Sequence, residues 1–500
     1  MTAPRQRRSE FGAVPHRVAG RPVTGDGTSL PVIDPASERV IAELACAGPT
    51  LVDAAVGAAR DAFEAGAWRD RSVPERQRVL RAVAAAIRDQ AEPLARLESR
   101  GAGLPLAHLA ARQVPRAAEN FDFFAEVIGQ LAGETFEQLP GYLTLVTREP
   151  AGVAALLSPW NAPLALASMQ LASCIAFGNS CVLKPSEHAP LAVTRLVELM
   201  EGAGVPTGVV NLVHGDGPVT GQALVAHPGI DRIAFTGGTA TGRAIMAAAA
   251  PNLTPVHFEL GGKSANLVFA DADLDQALDG SLVNVFSNNG QICIAGSRIL
   301  VQRAVADVFI ERFVGRARRL RVGDPLDPAT EAGPLAFEAH RDRVLAYTTL
   351  AREEGEVLCG GRRHPDFERG YYVEPTVVRV DSNRLRICQE EVFGPFVTIQ
   401  VFDEEGEALA IANDSDYGLV AYAWTGDLAR ALRLQAGIRA GTLWVNTPLA
   451  RDLRAPFGGF KQSGIGRDGP RQSAEFFTEE KATIVPRTPV AIPRIGGDEP

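Results

Sequence analysis

Cysteine is scarce in these 500 residues, and the six that occur, at positions 46, 174, 181, 293, 359 and 388, form neither a CxxC pair nor a Cys/His spacing suited to zinc. Isolated thiols of this kind suit a reducing compartment, so the cytoplasm is the expected location and no metal is expected. Positive charge is not in excess either: 50 Lys and Arg face 59 Asp and Glu, a net charge of −9 without any basic block. That balance argues against nucleic acid or a membrane surface as a partner. The longest apolar region, 151–183, is broken by Pro159, Asn161, Pro163, Gln170 and Asn179, so it is not a membrane span. Residues 1–10 carry Arg5, Arg7 and Arg8 with no apolar segment behind them, and read as a flexible terminus rather than a secretory signal. There is no low-complexity linker and no internal repeat.

What is present is a globular composition, 46% hydrophobic and 22% charged, in a chain too long for one core. Apolar residues at three- and four-residue spacing predict amphipathic helices over 50–66, 74–100 and 107–131. Residues 142–148 alternate as a strand closed by Pro150. Short apolar strands at 153–157, 180–183, 209–213 and 232–235 then alternate with helices at 163–177, 189–203, from 218 and from 239. That rhythm predicts an α/β fold with a parallel sheet and crossover helices. A second alternation begins at 265–269, past Gly261-Gly262, and runs to about 446. The run 482–485 resembles 142–148, and the two predict strands that pair with each other or across a subunit contact.

Several stretches carry chemistry. In Gly290-Gln291-Ile292-Cys293-Ile294-Ala295-Gly296-Ser297-Arg298 a single thiol sits in a small-residue turn, either as a covalent nucleophile or as a small buried hydrophobe. Ser158-Pro159-Trp160-Asn161-Ala162-Pro163 follows a buried strand directly, where parallel sheets place ligands; Asn161 can offer an amide N–H to an oxyanion, or simply form a turn. Lys184-Pro185-Ser186-Glu187 can reach a ribose, or merely cap a helix. Two glycine-rich helix openings, Gly215–Gly221 and Phe235–Gly242, suit a phosphate, although neither is G-x-G-x-x-G. Glu259, before Gly261-Gly262, is a general base if it faces Cys293, and otherwise a surface glutamate in a turn. Glu390-Glu391-Val392-Phe393-Gly394-Pro395 and 456–467 read as glycine-bearing loops.

Taken in order, SPWNAP, KPSE, FTGGTATG, ELGGKS, GQICIAGSR, EEVFGP and PFGGFKQSGIGR resemble the NAD(P)-dependent aldehyde dehydrogenase superfamily over about residues 16–487, nearest its muconic semialdehyde branch. The resemblance implies a Rossmann-like cofactor domain over 11–130 and 150–261, an α/β catalytic domain over 262–470, and a small β extension for oligomerisation from 131–149 and 478–490. It implies Cys293 as nucleophile, Glu259 as base and Asn161 in the oxyanion hole. It places NAD against Ser158, Trp160, Lys184, Ser186, Glu187, Gly217, Gly221, Thr236, Gly237, Gly238, Gly242, Leu260, Glu391 and Phe393. Glu187 would repel a 2′-phosphate, which favours NAD while leaving NADP open. Two positions depart from the family pattern: Gln170 stands where many members have lysine, and Gly238 where serine is usual. The partners implied are a small-molecule aldehyde and further copies of the chain, as homodimer or homotetramer.

For the substrate, Arg451 before the PFGG loop and Arg116 in an N-terminal helix resemble the arginines with which the muconic semialdehyde branch binds its substrate carboxylate. Guanidinium suits that task, though both can equally lie on solvated faces. The other readings are a broad, aromatic or betaine-type aldehyde dehydrogenase and a catalytically silent homologue kept for binding or structure. Transfer of the acyl group to coenzyme A is less favoured, because Glu259 offers a hydrolytic base.

Overall fold

The computed structural model describes residues 9–493 and 495–496; the flexible terminus expected over 1–10 lies, as far as residue 8, outside the described residues. Five parallel strands form the centre of an eight-stranded sheet, in the spatial order Val210–Leu212, Ser180–Pro185, Val153–Ser158, Arg232–Thr236 and Val256–Glu259. In chain order this is third, second, first, fourth, fifth, so connections leave Val153–Ser158 in opposite directions and open a crevice beyond its carboxyl end. Val153 to Leu157 are buried, as befits a strand covered on both faces.

The strand Val256–Glu259 was not separated from its surroundings by sequence pattern, yet its last residue is Glu259. Its outer edge is covered by Gly464–Ile465, which runs antiparallel with Phe258 opposite Ile465 and Glu259 opposite Gly464. The other edge carries two short N-terminal strands, His16–Val18 and Arg21–Val23.

A second sheet has seven strands, with Arg298–Gln302 and Ala265–Val268 near its middle and Phe396–Phe402 and Val420–Trp424 outside them. The strands expected at 142–148 and 482–485 do pair, as Tyr142–Pro150 against Thr478–Pro486 in one antiparallel ladder that also takes Glu134–Phe136. Among the described residues no helix is long and apolar enough to cross a membrane.

Two of the expected helices are interrupted, both beside proline. The helix expected over 74–100 starts at a Ser72/Glu75 capping box and divides into Val73–Asp89 and Ala91–Ala102. Pro93 lacks an N–H and fits only the first turn of a new helix. The helix expected over 107–131 contains Pro115, whose ring would strike the carbonyl of Ala111. The chain widens into a π turn over Leu109–Gln113 before resuming as Val114–Val127. That turn lies on the wall of a cavity that reaches Cys293.

Candidate active site

Cys293 is set by a sharp reversal. After the helix Leu274–Phe286 the backbone passes through left-handed conformations at Asn288, Asn289 and Gly290. Asn tolerates that region through local side-chain hydrogen bonding. At Gly290 a Cβ would come within 2.3 Å of the Gly394 carbonyl carbon, so only glycine fits. The Asn288 amide donates to the Asn161 carbonyl at 2.7 Å, and the Asn161 amide donates to the Gln291 carbonyl at 2.9 Å. Tyr422 holds the far side, its hydroxyl donating to the Ile294 carbonyl at 2.7 Å. The loop is therefore gripped by both sheets.

Two cavities meet at this loop, sharing Asn161, Leu166, Thr236, Glu259 and Cys293 as walls. One, of about 420 Å³, extends past Met169, Trp444 and Phe457 to Arg112, Arg116, Glu119, Arg451 and Asp468. The other, of about 390 Å³, runs past Trp160, Gly237, Gly238, Leu260, Gly261, Phe337, His340, Arg343, Glu391 and Phe393. Cys293 thus faces two separate chambers. Burial pushes its thiol up to about 12, helped by the carboxylates of Glu391 and Glu259 and opposed by Arg451. Such a thiol is protonated at neutral pH and needs a base to become a nucleophile.

Glu259 lines both chambers beside that thiol. It is buried at the end of its strand rather than exposed in a turn. Burial lifts its carboxyl to about 7, with the neighbouring His257 imidazole pulling it back in part. Gly458 lets it sit there, since a Cβ on that residue would lie 2.6 Å from Glu259 Oε1.

The second chamber is shaped by glycines and aromatic rings. Gly262 donates its N–H to Glu391 Oε1 at 2.9 Å, and a Cβ on Gly261 would meet Glu391 Oε2 at 2.2 Å. Trp160 stands edge-on to Phe337 and Phe393, with ring centroids 5.2 and 5.4 Å away. Gly238 opens the helix Thr239–Ala249 with no atom within 4 Å of where its Cβ would be, and Gly242 packs that helix against Leu260. An amino-terminal helix end with open space beside it suits a phosphate.

The structure divides the expected cofactor residues. Trp160, Thr236, Gly237, Gly238, Leu260, Glu391 and Phe393 line the chamber beside Cys293, and Ser158 is buried just before Trp160. Lys184, Ser186, Glu187, Gly217 and Gly221 do not line it. Of these, Lys184, Glu187 and Gly221 lie together: Lys184 Nζ is 3.7 Å from Glu187 Oε2 and Gly221 rests on the Lys184 side chain. Of the two arginines, Arg116 donates to Asn120 Oδ1 at 2.9 Å, and Arg451 stacks over Phe457 at 4.3 Å, its Nη2 4.0 Å from Asp468 Oδ2. They share one cavity: burial and the charge of Arg451 lower the Arg116 guanidinium to about 9.

Sequence reasoning missed His257, Asp468, Asn288, Gln291 and the His340–Phe337 pair. Asn288 and Gln291 flank the thiol and could have been weighed with it. His257 lies two residues before Glu259 on the same strand; Asp468 and the His340–Phe337 pair reach the site only through contacts between distant segments.

Residues 23–483 match the aldehyde dehydrogenase family. The chain is 42% identical over 471 residues to 2-hydroxymuconic semialdehyde dehydrogenase of Pseudomonas sp. (strain CF600), covering 92% of this chain and 97% of that protein. It is 40% identical to betaine aldehyde dehydrogenase of Bacillus subtilis (strain 168), covering 92% and 95%. The crystal structure of PnpE from Pseudomonas sp. WBC-3 superposes with a TM-score of 0.93 at 42% identity, covering 97% of this chain and 99% of that one; PnpE has also been solved in complex with nicotinamide adenine dinucleotide. The match spans both sheets and both chambers around Cys293, and on that ground the chain belongs to the aldehyde dehydrogenase family.

Proposed function

We propose that this protein oxidises an aldehyde that carries a carboxylate, of the 2-hydroxymuconate semialdehyde type, to the corresponding acid with NAD. The observation that carries this reading is the pair of guanidiniums, Arg116 and Arg451, in the cavity that ends at Cys293. Burial first, and then the charge of Arg451, lower the Arg116 guanidinium; an anion between the two would favour both charges, and their planar forks suit a carboxylate.

The dinucleotide fits the chain's own residues: the opening of Thr239–Ala249 beside Gly238 takes phosphate, Glu391 and Phe393 take the nicotinamide end, and Lys184 with Glu187 takes the adenosine ribose. Bound there, it supplies the acceptor for the hydride that the substrate gives up. Glu259 removes the Cys293 proton, and sulfur adds to the aldehyde carbon to form a thiohemiacetal. The Asn161 amide and the Cys293 N–H stabilise its oxyanion. Glu259 gives the first proton up to water in the cavity as the hydride leaves; facing the thioester as a carboxylate again, it takes a proton from the attacking water, and the acid leaves with Cys293 restored.

A second reading is a betaine-type aldehyde: Trp444, Phe457, Glu119 and Asp468 line the same cavity and would hold a cation. The deciding experiment follows NADH formation by the purified protein with a muconic semialdehyde, benzaldehyde and betaine aldehyde. A preference in kcat/KM for the carboxylated substrate supports the first reading, and equal or better use of the others removes it. We also read the protein as cytoplasmic and assembled from two or four copies through the exposed Leu145, Ile484 and Val485 of the three-stranded sheet, which light scattering checks.

A further inference from the structure

We propose that His257 is the proton outlet of Glu259, passing the proton gained during thioester hydrolysis to Asp468 and so to the substrate cavity. This rests on the reading of Glu259 as the hydrolytic base. His257 and Glu259 lie two apart on one strand and so point to the same side of the sheet, while Phe258 between them points into the core. His257 Nε2 is 3.8 Å from Glu259 Oε1 and 3.5 Å from Asp468 Oδ1. Nε2 and Oε1 are both buried without a hydrogen-bond partner. Two orphaned groups facing each other, a few tenths of an ångström beyond bonding distance, are what a site awaiting a proton looks like, since such bonds tighten only when the reaction calls for them.

The surroundings keep the ring in place. Phe476 packs edge-on against it with centroids 5.4 Å apart, and Gly466 passes so close that a Cβ would lie 3.2 Å from Nδ1. The charged groups facing it are Glu259 on its own strand and Asp468 and Arg467 on the segment after Ile465, with Arg451 beyond Asp468. Burial draws the imidazole down, but the nearby carboxylates of Glu259 and Asp468 outweigh it and leave the ring above its ordinary value. Gln170 offers no alternative: its amide donates to the Leu157 carbonyl at 3.1 Å and the Thr236 hydroxyl at 3.3 Å, and it has no titratable proton.

The transfer balances in two steps. The Glu259 O–H breaks as Nε2–H forms, giving imidazolium; Nε2–H then breaks as the Asp468 O–H forms. Asp468 lines the substrate cavity and releases the proton to water there. The same three side chains place ligand atoms within 4.8 Å of one another, a spacing that could hold a divalent cation. The guanidiniums of Arg467 and Arg451 beside them oppose that use.

The test uses 4-nitrophenyl acetate, which acylates a reactive thiol without any nucleotide: the burst of nitrophenolate reports acylation and the steady rate reports hydrolysis. His257→Asn should keep the burst within about two-fold and slow the steady rate by about ten-fold or more, with a flattened pH profile. Asp468→Asn should show the same split with His257 intact. If burst and steady rate fall together, or neither changes, the proposal is overturned. It is also overturned if EDTA treatment of the unaltered protein reproduces the His257→Asn behaviour, since the cluster is then a metal site. Glu259→Gln separates the two claims: if it hydrolyses the acyl-enzyme at the unaltered rate, the assignment of the base itself fails.

Discussion

Asn161 donates its side-chain N–H to the Gln291 carbonyl at 2.9 Å, across 130 residues of sequence. The bond ties the crevice of the first sheet to the thiol loop of the second, and the amide has another N–H to direct at an oxyanion. Asn161→Ala should lower kcat by about 10²- to 10³-fold, the usual loss for one oxyanion donor. Steady-state assays with benzaldehyde and NAD check this, and a loss under about three-fold rules Asn161 out of that role.

The pH dependence follows from Glu259. Its carboxyl titrates near 7, above the ordinary 4.5, because of burial. A base must be deprotonated to act, so kcat/KM should rise about tenfold per unit as pH climbs toward 7 and level off above it. Replacing Glu259 by Gln should remove this inflection from whatever rate remains.

Arg116→Ala and Arg451→Ala should each raise KM for a carboxylated aldehyde by roughly 10- to 100-fold, as expected for a lost charge-assisted hydrogen bond. KM for benzaldehyde should change little. Parallel kinetics on the two substrates read the difference, and equal effects count against carboxylate recognition.

Gly261→Ala probes the cofactor chamber without touching the thiol. The added Cβ, 2.2 Å from Glu391 Oε2, must push that carboxylate aside. Binding of NAD, measured by calorimetry, should weaken by about tenfold or more, while iodoacetamide still labels Cys293.

A stability prediction concerns Glu98, buried on the helix Ala91–Ala102. Burial pushes its carboxyl to about 8, the Leu164 N–H drawing it back only partly. The folded state therefore holds a proton that the unfolded chain, near 4.5, gives up. The sign follows: this contribution is complete below about 4.5 and is lost progressively as pH rises through about 8. Glu98→Gln should flatten the fall in melting temperature over that window, and an unchanged slope would falsify the assignment.

Much of the site was legible before any coordinates. The apolar runs at 153–157, 180–183 and 232–235 each end in a polar or glycine-bearing turn, a local pattern that marks the ligand end of a parallel strand. Cys293 stood out for the small residues around it, and the order of seven motifs carried the family. The breaks at Gln90 and over Leu109–Gln113 had visible causes in Pro93 and Pro115, but helical periodicity ran through both prolines and masked them.

The amino-acid order by itself thus determined the nucleophile loop, the alternation of strands and helices and the family, because these depend on residues adjacent in the chain. Only the tertiary structure decided that Glu259 is buried, that Arg116 and Arg451 share a cavity, and that His257 lies between Glu259 and Asp468. Each of these depends on which distant segments pair, above all Gly464–Ile465 on Val256–Glu259, and a register across a sheet is set by the packing of the whole core rather than by its neighbours in sequence.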